Sequence, residues 1–282
     1  MSDAFLEKPA PGSLTIRARL LIFFVLMALL PAGLISLVSA QGSLAAGEQR
    51  SINQLESVAT LKEAEIHTWL QNLLLDLKVE QSRALSRERF QQLLQSPVES
   101  EAFEDAYAAQ QAQLRESVEV GEKFEELFLI DAEGRVLLST TSSQEGQLLS
   151  NRPYFKEGLK GEYVSAPFYS LEFNQPSIVV VSPVLDDQGQ VVGVFGGRAG
   201  LATLSEIMLE RAGLGETGET YLVADNFASA TALRFVDADI HVSTEGSNAA
   251  VGQQRNGSGR YVAIAGFQSS VSTAGCRNFM SR

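Results

Sequence analysis

Hydrophobic and polar positions change rhythm several times along this chain. Leu20–Ala40 is predominantly apolar and carries no charge. A helix of ~20 apolar residues spans a bilayer core, and no face of this segment is polar, as a buried core helix would require. Pro31 is tolerable in such a helix. Arg17 and Arg19 precede the run, and Glu48 and Arg50 follow it, so the positive-inside bias sets the N-terminus in the cytoplasm. Val38-Ser39-Ala40 fits a cleavage site, but the apolar run exceeds the ~7–15 residues of a signal core. An uncleaved anchor is expected.

From Gln49 to Ser96 the chain has no Gly or Pro. Ile52, Leu55, Ala59, Ile66, Trp69, Leu73 and Leu77 recur at helical steps, which predicts one long helix. Glu63, Glu65, Asp76, Lys78 and Glu80 mark its solvated side. The helix can pack its apolar stripe on its own domain and also form a dimer seam near the membrane. Pro97 ends or kinks the helix, and residues 99–117 read as another.

The pattern then turns to strands. Glu126–Ile130 and Arg135–Ser139 flank Asp131-Ala132-Glu133-Gly134. Ile178–Val184 and Val191–Phe195 flank Asp186-Asp187-Gln188-Gly189. Each set predicts a hairpin. Pro153–Leu159 suits a short helix between them, and Ala202–Ala212 a helix after them. Another strand is expected over Glu219–Asp225. The order implies two α+β modules in series, with antiparallel sheets.

Composition narrows the function. A net charge of −12 over 282 residues argues against nucleic acid as a partner, since counterion release needs clustered Lys and Arg. The single cysteine, Cys276, excludes an internal disulfide framework and a cysteine-built zinc site, and His67 and His241 stand far apart. Gly213-Leu214-Gly215-Glu216-Thr217-Gly218 matches a dinucleotide fingerprint by letters only, since a predicted helix precedes it and a strand follows. The pairs Asp186-Asp187 and Asp237/Asp239 lack the alternating oxygen series of a calcium loop. Asn256-Gly257-Ser258 fits a glycosylation pattern. His241 has no nucleophile or second base near it in sequence. No catalytic residue, metal or cofactor is expected. An anchored hydrolase using Asp or His, and a structural or adaptor protein dimerised by residues 49–95, are the competing classes.

Arg152 stands out by its neighbours, Tyr154, Phe155, Phe168 and Tyr169. Aromatics supply a stacking and hydrogen-bonding wall. A guanidinium fork matches a carboxylate bidentately, with ~1.5–3 kcal/mol per charged hydrogen bond. That composition suits holding a small anion, not transforming one.

The run Asn151–Phe155, then Tyr163–Phe168 and Ser177–Val184, resembles the ligand-binding half of the double Cache sensor domains of prokaryotic receptors. Asn151–Phe155 stands where that family often has Arg-x-Trp-Tyr, and Gly193–Arg198 where it often has Gly-Val-x-Gly-x-Asp. Residues 213–223 resemble the bridge into its second module. The resemblance covers most of residues 45–262. It implies an α+β fold of N-terminal transmembrane helix, long stalk helix and tandem PAS-like Cache modules, the second incomplete. The segments are a cytoplasmic tail 1–16, membrane helix 17–40, stalk 41–98, membrane-distal module 99–212, partial membrane-proximal module 213–262 and aberrant tail 263–282.

The resemblance further implies a single-pass plasma-membrane sensor, extracytoplasmic and dimerised through its stalk. Such a sensor is expected to bind a small molecule through Arg152, Tyr154, Phe155, Phe168, Tyr169, Ser170 and Arg198. The intact receptor would carry a kinase, cyclase or chemotaxis output. Amino-acid-sensing members use the arginine for the ligand carboxylate and the aspartate for its ammonium. Arg152 matches the first role, whereas Arg198 replaces the aspartate. A standard amino acid is therefore not expected, and an anionic metabolite is, unless Arg198 pairs with a nearby acid.

Residues Ala263–Ser270 and Cys276–Arg282 lose strand alternation. Codons can be chosen for Ala263–Arg282 so that a shifted frame reads as the missing strand pair. The expectation is a frameshift near codon 263 that truncates a longer receptor.

Overall fold

The structure, a computed structural model, describes residues 16–216, 218–224, 226–234, 242, 244–253, 257–262 and 268–273. The N-terminal tail, Asp225, Asp237, Asp239, His241, Asn256 and Cys276 lie outside the described residues. The chain divides into two units, Met1–Ser51 and Ile52–Arg282. Helix α1 spans Ile16–Ser82. In the first, Ile16–Leu37 is long and apolar enough to cross a membrane, with none of its surface buried. The helix continues through Pro31.

In the second unit, α1 buries Val58, Ile66, Leu73 and Leu77, one apolar stripe at helical spacing. The predicted helix over Gln49–Ser96 is in fact two. Helix α1 ends at Ser82, Arg83 adopts ψ 132°, and α2 runs Ala84–Gln95. The cause lies in helix α3, Glu101–Gly121. Glu80 accepts from Gln113 Nε2 at 2.6 Å and Ser117 Oγ at 3.1 Å. Ser86 Oγ accepts from Gln113 Nε2 at 2.8 Å and Gln110 Nε2 at 3.3 Å. In an unbroken helix, positions 80 and 86 would point ~120° apart. The break lets both face α3, so tertiary hydrogen bonding overrides a sequence without Gly or Pro. Helix α3 begins where Ser100 Oγ accepts the Phe103 N–H at 3.3 Å.

The sheet comprises β1 (Glu126–Asp131), β2 (Val136–Ser139), β3 (Tyr163–Val164), β4 (Phe168–Ser170), β5 (Gln175–Leu185) and β6 (Val191–Gly200). Its order is β2-β1-β6-β5-β3, with β4 also paired to β5. All the pairings are antiparallel. Both predicted hairpins form, and their turns share one device. Asp131 Oδ1 accepts the Arg135 N–H, and Asp186 Oδ1 accepts those of Gln188 and Gln190. Gly134 and Gly189 take φ of 91° and 78°, which a Cβ would oppose.

Strand alternation divides the sheet into two buried faces. Leu127, Leu129, Ile178, Val180 and Phe195 face the long helices, where the Phe195 and Phe90 rings lie 4.7 Å apart. Phe128, Ile130, Val179, Val181 and Val194 face helix α4, Pro153–Gly158, with Tyr154 and Phe155 above them. Burying each such side chain contributes ~1.5–3 kcal/mol.

Helix α5 spans Ala202–Leu209, shorter than the predicted Ala202–Ala212. Beyond it, Glu210 takes Lys62 Nζ at 2.7 Å and the Gly213 carbonyl accepts Gln54 Nε2 at 2.7 Å, both from α1. These contacts draw the chain off the helical path. The strand predicted over Glu219–Asp225 does not form among the described residues. Only an isolated bridge joins Val223 to Ser229, because the chain doubles back with Ala224 N–H on Ala228 O and Ala230 N–H on Leu222 O. The carbonyls of Glu216 and Gly218 in the glycine-rich run accept the Arg234 guanidinium at 2.6 and 2.7 Å. Strands β7 (Gly257–Val262) and β8 (Gln268–Thr273) pair antiparallel. Gln268–Ser270, read from sequence as losing alternation, are thus strand.

Candidate ligand-binding site

The α4 face of the sheet gathers most of the residues singled out from sequence. In the β1–β6 register Arg198 stands directly opposite Glu126, so both side chains share that face. Arg198 Nε donates to Glu126 Oε2 at 2.9 Å, and Ser139 Oγ donates to Oε1 at 2.7 Å. Glu126 is 1% exposed and Arg198 7%, which makes this a buried, hydrogen-bonded ion pair. The guanidinium carbon also lies over two rings, 5.5 Å from the Phe168 centroid and 5.3 Å from that of Phe173. Cation–π contact of this kind contributes ~0.5–2 kcal/mol.

Phe173 reaches Arg198 from the β4–β5 hairpin. Ser170, buried at the end of β4, accepts the Phe173 N–H on its Oγ at 3.4 Å and so holds that turn. Tyr169 alternates to the other side, is exposed, and donates to Asn174 Oδ1 at 2.9 Å. It is not brought to the cluster.

Glu125 lies at the edge of the same group. It accepts from Gln175 Nε2 and, at 3.4 Å, from Ser177 Oγ. Burial pushes its carboxyl up, the Ser177 hydrogen bond and Arg198 pull it down, and Glu126 pushes it up further. Tyr154 is buried against Phe128, with ring centroids 6.4 Å apart. Burial raises its phenol, Arg198 and then Arg152 lower it, and Glu126 raises it. The Tyr154 ring is therefore within electrostatic reach of both arginines. Phe155 is buried in the hydrophobic layer beneath α4.

Arg152 caps the start of α4, with Pro153 at the first helical position. Its N–H donates to Leu149 O at 2.9 Å. Its side chain is exposed, and among the described residues its guanidinium makes no hydrogen bond or ion pair. The two arginines thus differ in kind, one compensated and enclosed, the other presented to solvent.

The Cache domain family model matches residues 44–273. The chain belongs to the Cache domain family. The match extends beyond residue 262. Among solved structures, it is similar to the ligand-binding domain of the Pseudomonas aeruginosa PAO1 amino acid chemoreceptor PctB in complex with L-Arg. Identity is 16%, coverage 81% of this chain and 84% of that one, and the TM-score 0.53. It is also similar to the ligand-binding domain of the Pseudomonas fluorescens chemoreceptor CtaA in complex with L-leucine, at 19% identity. That match covers 81% and 91% of the two chains with a TM-score of 0.50. The sensor domain of the V. cholerae histidine kinase DctB matches at 17% identity over 56% and 59%, with a TM-score of 0.46. No curated protein matches the chain.

Within this Cache domain, sequence reasoning missed Glu126, Ser139, Phe173 and Glu125. A signal for Glu126 existed. It is the only charge within the otherwise apolar run Glu126–Ile130, and it shares strand parity with Phe128 and Ile130. Its partner lies 72 residues away, which no local pattern reveals. His67 is exposed on α1, and among the described residues no group of three His, Cys, Asp or Glu could hold a metal.

Proposed function

We propose that this Cache domain is the sensing part of a membrane-anchored receptor and binds a small carboxylate-bearing molecule on the α4 face of its sheet. The observation that carries the reading is the exposed Arg152 guanidinium, without a partner among the described residues, set beside buried Tyr154. A carboxylate there gains a bidentate partner and an aromatic wall. The names of the similar structures support a ligand of this class, since PctB is in complex with L-Arg and CtaA with L-leucine. The Arg198–Glu126 pair changes the argument for an anion. Arg198 adds no net charge once Glu126 compensates it, so that reading rests on Arg152.

The organisation that goes with this function is a cytoplasmic tail over 1–16, a membrane helix over 17–40 and a stalk over 41–98. A membrane-distal module follows over 99–212, with a second module in series from 213. Arg17 and Arg19 favour a cytoplasmic N-terminus. Exposed Leu61, Leu75 and Val79 on α1 favour pairing of two stalks.

Isothermal titration of the full chain in detergent micelles against small carboxylates, with and without an amine, tests the function. The expected result is micromolar binding that Arg152→Ala weakens roughly 10- to 100-fold, the equivalent of one charged hydrogen-bond pair. Binding that is unchanged in Arg152→Ala would remove the proposal.

A further inference from the structure

A guanidinium held by a buried carboxylate and packed on two phenyl rings is how a protein recognises a cationic ligand. Here the guanidinium belongs to the protein. Glu126 is 1% exposed and offers Oε2 to Arg198 Nε at 2.9 Å while Ser139 Oγ fixes Oε1 at 2.7 Å. Phe168 and Phe173 lie 5.5 and 5.3 Å from the guanidinium carbon. These groups converge from three strands and one turn, and each would serve a free guanidinium or ammonium equally well.

We propose that Glu126, Ser139, Phe168 and Phe173 form a cation subsite that Arg198 occupies permanently as a tethered ligand. Arg198 is then a specificity-determining residue. It keeps amines and guanidines out of the inner end of the site and leaves Arg152 as the group that selects the ligand. The chain therefore favours carboxylates without an amine over the corresponding amino acids. This inference rests on reading the α4 face as the ligand face.

Truncating Arg198 should expose the subsite. In the full chain in micelles, Arg198→Ala is expected to lose thermal stability and to regain about 5–10 °C of Tm at methylguanidinium concentrations ~100-fold above Kd. The wild-type chain, its subsite filled, is expected to show no such gain, and sodium chloride at equal concentration none in either. Adding Glu126→Gln to Arg198→Ala should abolish the rescue. Arg198→Met, whose apolar stem still fills the space between the rings, should fold and ignore methylguanidinium. If Arg198→Ala does not fold unaided, recovery of folded protein on refolding in methylguanidinium is the expected result, and failure to recover any counts against the subsite. The proposal is overturned if folded Arg198→Ala binds no methylguanidinium, if Glu126→Gln leaves that binding intact, or if the wild-type chain binds it equally well. Adding Arg152→Ala to Arg198→Ala should leave the rescue unchanged. A chain that passes the rescue but binds no carboxylate therefore loses only the Arg152 reading, and the reverse outcome loses only the subsite.

Discussion

Removing the Glu126 carboxylate while keeping Arg198 should be the most damaging single change on the α4 face. The side chains of Arg198 and Glu126 are 9% and 1% exposed, so neither charge is screened by water. Deleting one member of a buried, hydrogen-bonded pair leaves the other uncompensated, at ~3–5 kcal/mol. For a folded unit of this size that corresponds to a Tm fall of roughly 6–20 °C, taking ~2–4 °C per kcal/mol. The pair itself need not be worth that much. Replacing both partners with apolar residues removes the desolvation cost along with the attraction, and is often neutral or stabilising. Glu126→Leu with Arg198→Met should therefore stay within about 1–2 kcal/mol of the parent, although each single change is costly. The measurement is a double-mutant cycle by denaturant unfolding. Trp69, the only tryptophan, is half-buried against the helix-side core and reports it by fluorescence. Losses below ~1 kcal/mol in Glu126→Ala, or a double variant equal to the sum of the singles, would mean that water reaches the pair.

Other predictions follow from separate contacts. Arg152→Ala should leave the unliganded chain within ~0.5 kcal/mol of the parent, because the side chain is exposed and without a described partner; a large loss in unfolding would show a structural role. Tyr107 donates to both oxygens of Glu145, at 2.8 and 2.9 Å, and burial with that carboxylate pushes its phenol up to about 12. The folded state then holds the proton longer than the unfolded state, so this stabilisation is complete below pH ~10 and is lost as pH rises towards ~12. Tm measured across that window should fall further in the parent than in Tyr107→Phe, and parallel curves would refute the assignment. Gly134→Ala should cost more than Gly146→Ala. Both have positive φ, 91° and 77°, which costs ~1–2 kcal/mol, but only at Gly134 would the new Cβ meet backbone, with Ser150 Cα at 2.7 Å. Equal losses in unfolding would show that Ser150 yields freely. Ser100→Ala should cost ~1 kcal/mol by removing the N-cap of α3, read in the same assay.

What was legible in the sequence was whatever a short window contains. The apolar run, the helical stripe through Ile66, Leu73 and Leu77, and the two Asp-x-x-Gly hairpins each carry their signal within one or two turns or strands. The features that escaped depend on partners far along the chain. Nothing between Gln49 and Ser96 marks a break at Arg83, because its cause is Gln113 and Ser117 on another helix. Helix α5 stops early because Lys62 and Gln54 on α1 take Glu210 and the Gly213 carbonyl. The site shows the same division. The aromatic neighbourhood of Arg152 is local and was readable, and Tyr154 and Phe155 do lie buried beside it. The meaning of Arg198 was not local. Read alone, it is a positive charge where the family often has an aspartate, and it argues for an anionic ligand. Read with Glu126 across the β1–β6 ladder, it is half of a compensated pair. A substitution at a ligand-facing strand position therefore cannot be turned into ligand charge until its cross-strand partner is known. In this Cache domain that partner turns an apparent free positive charge into half of a buried pair, whereas the Arg152 side chain is exposed.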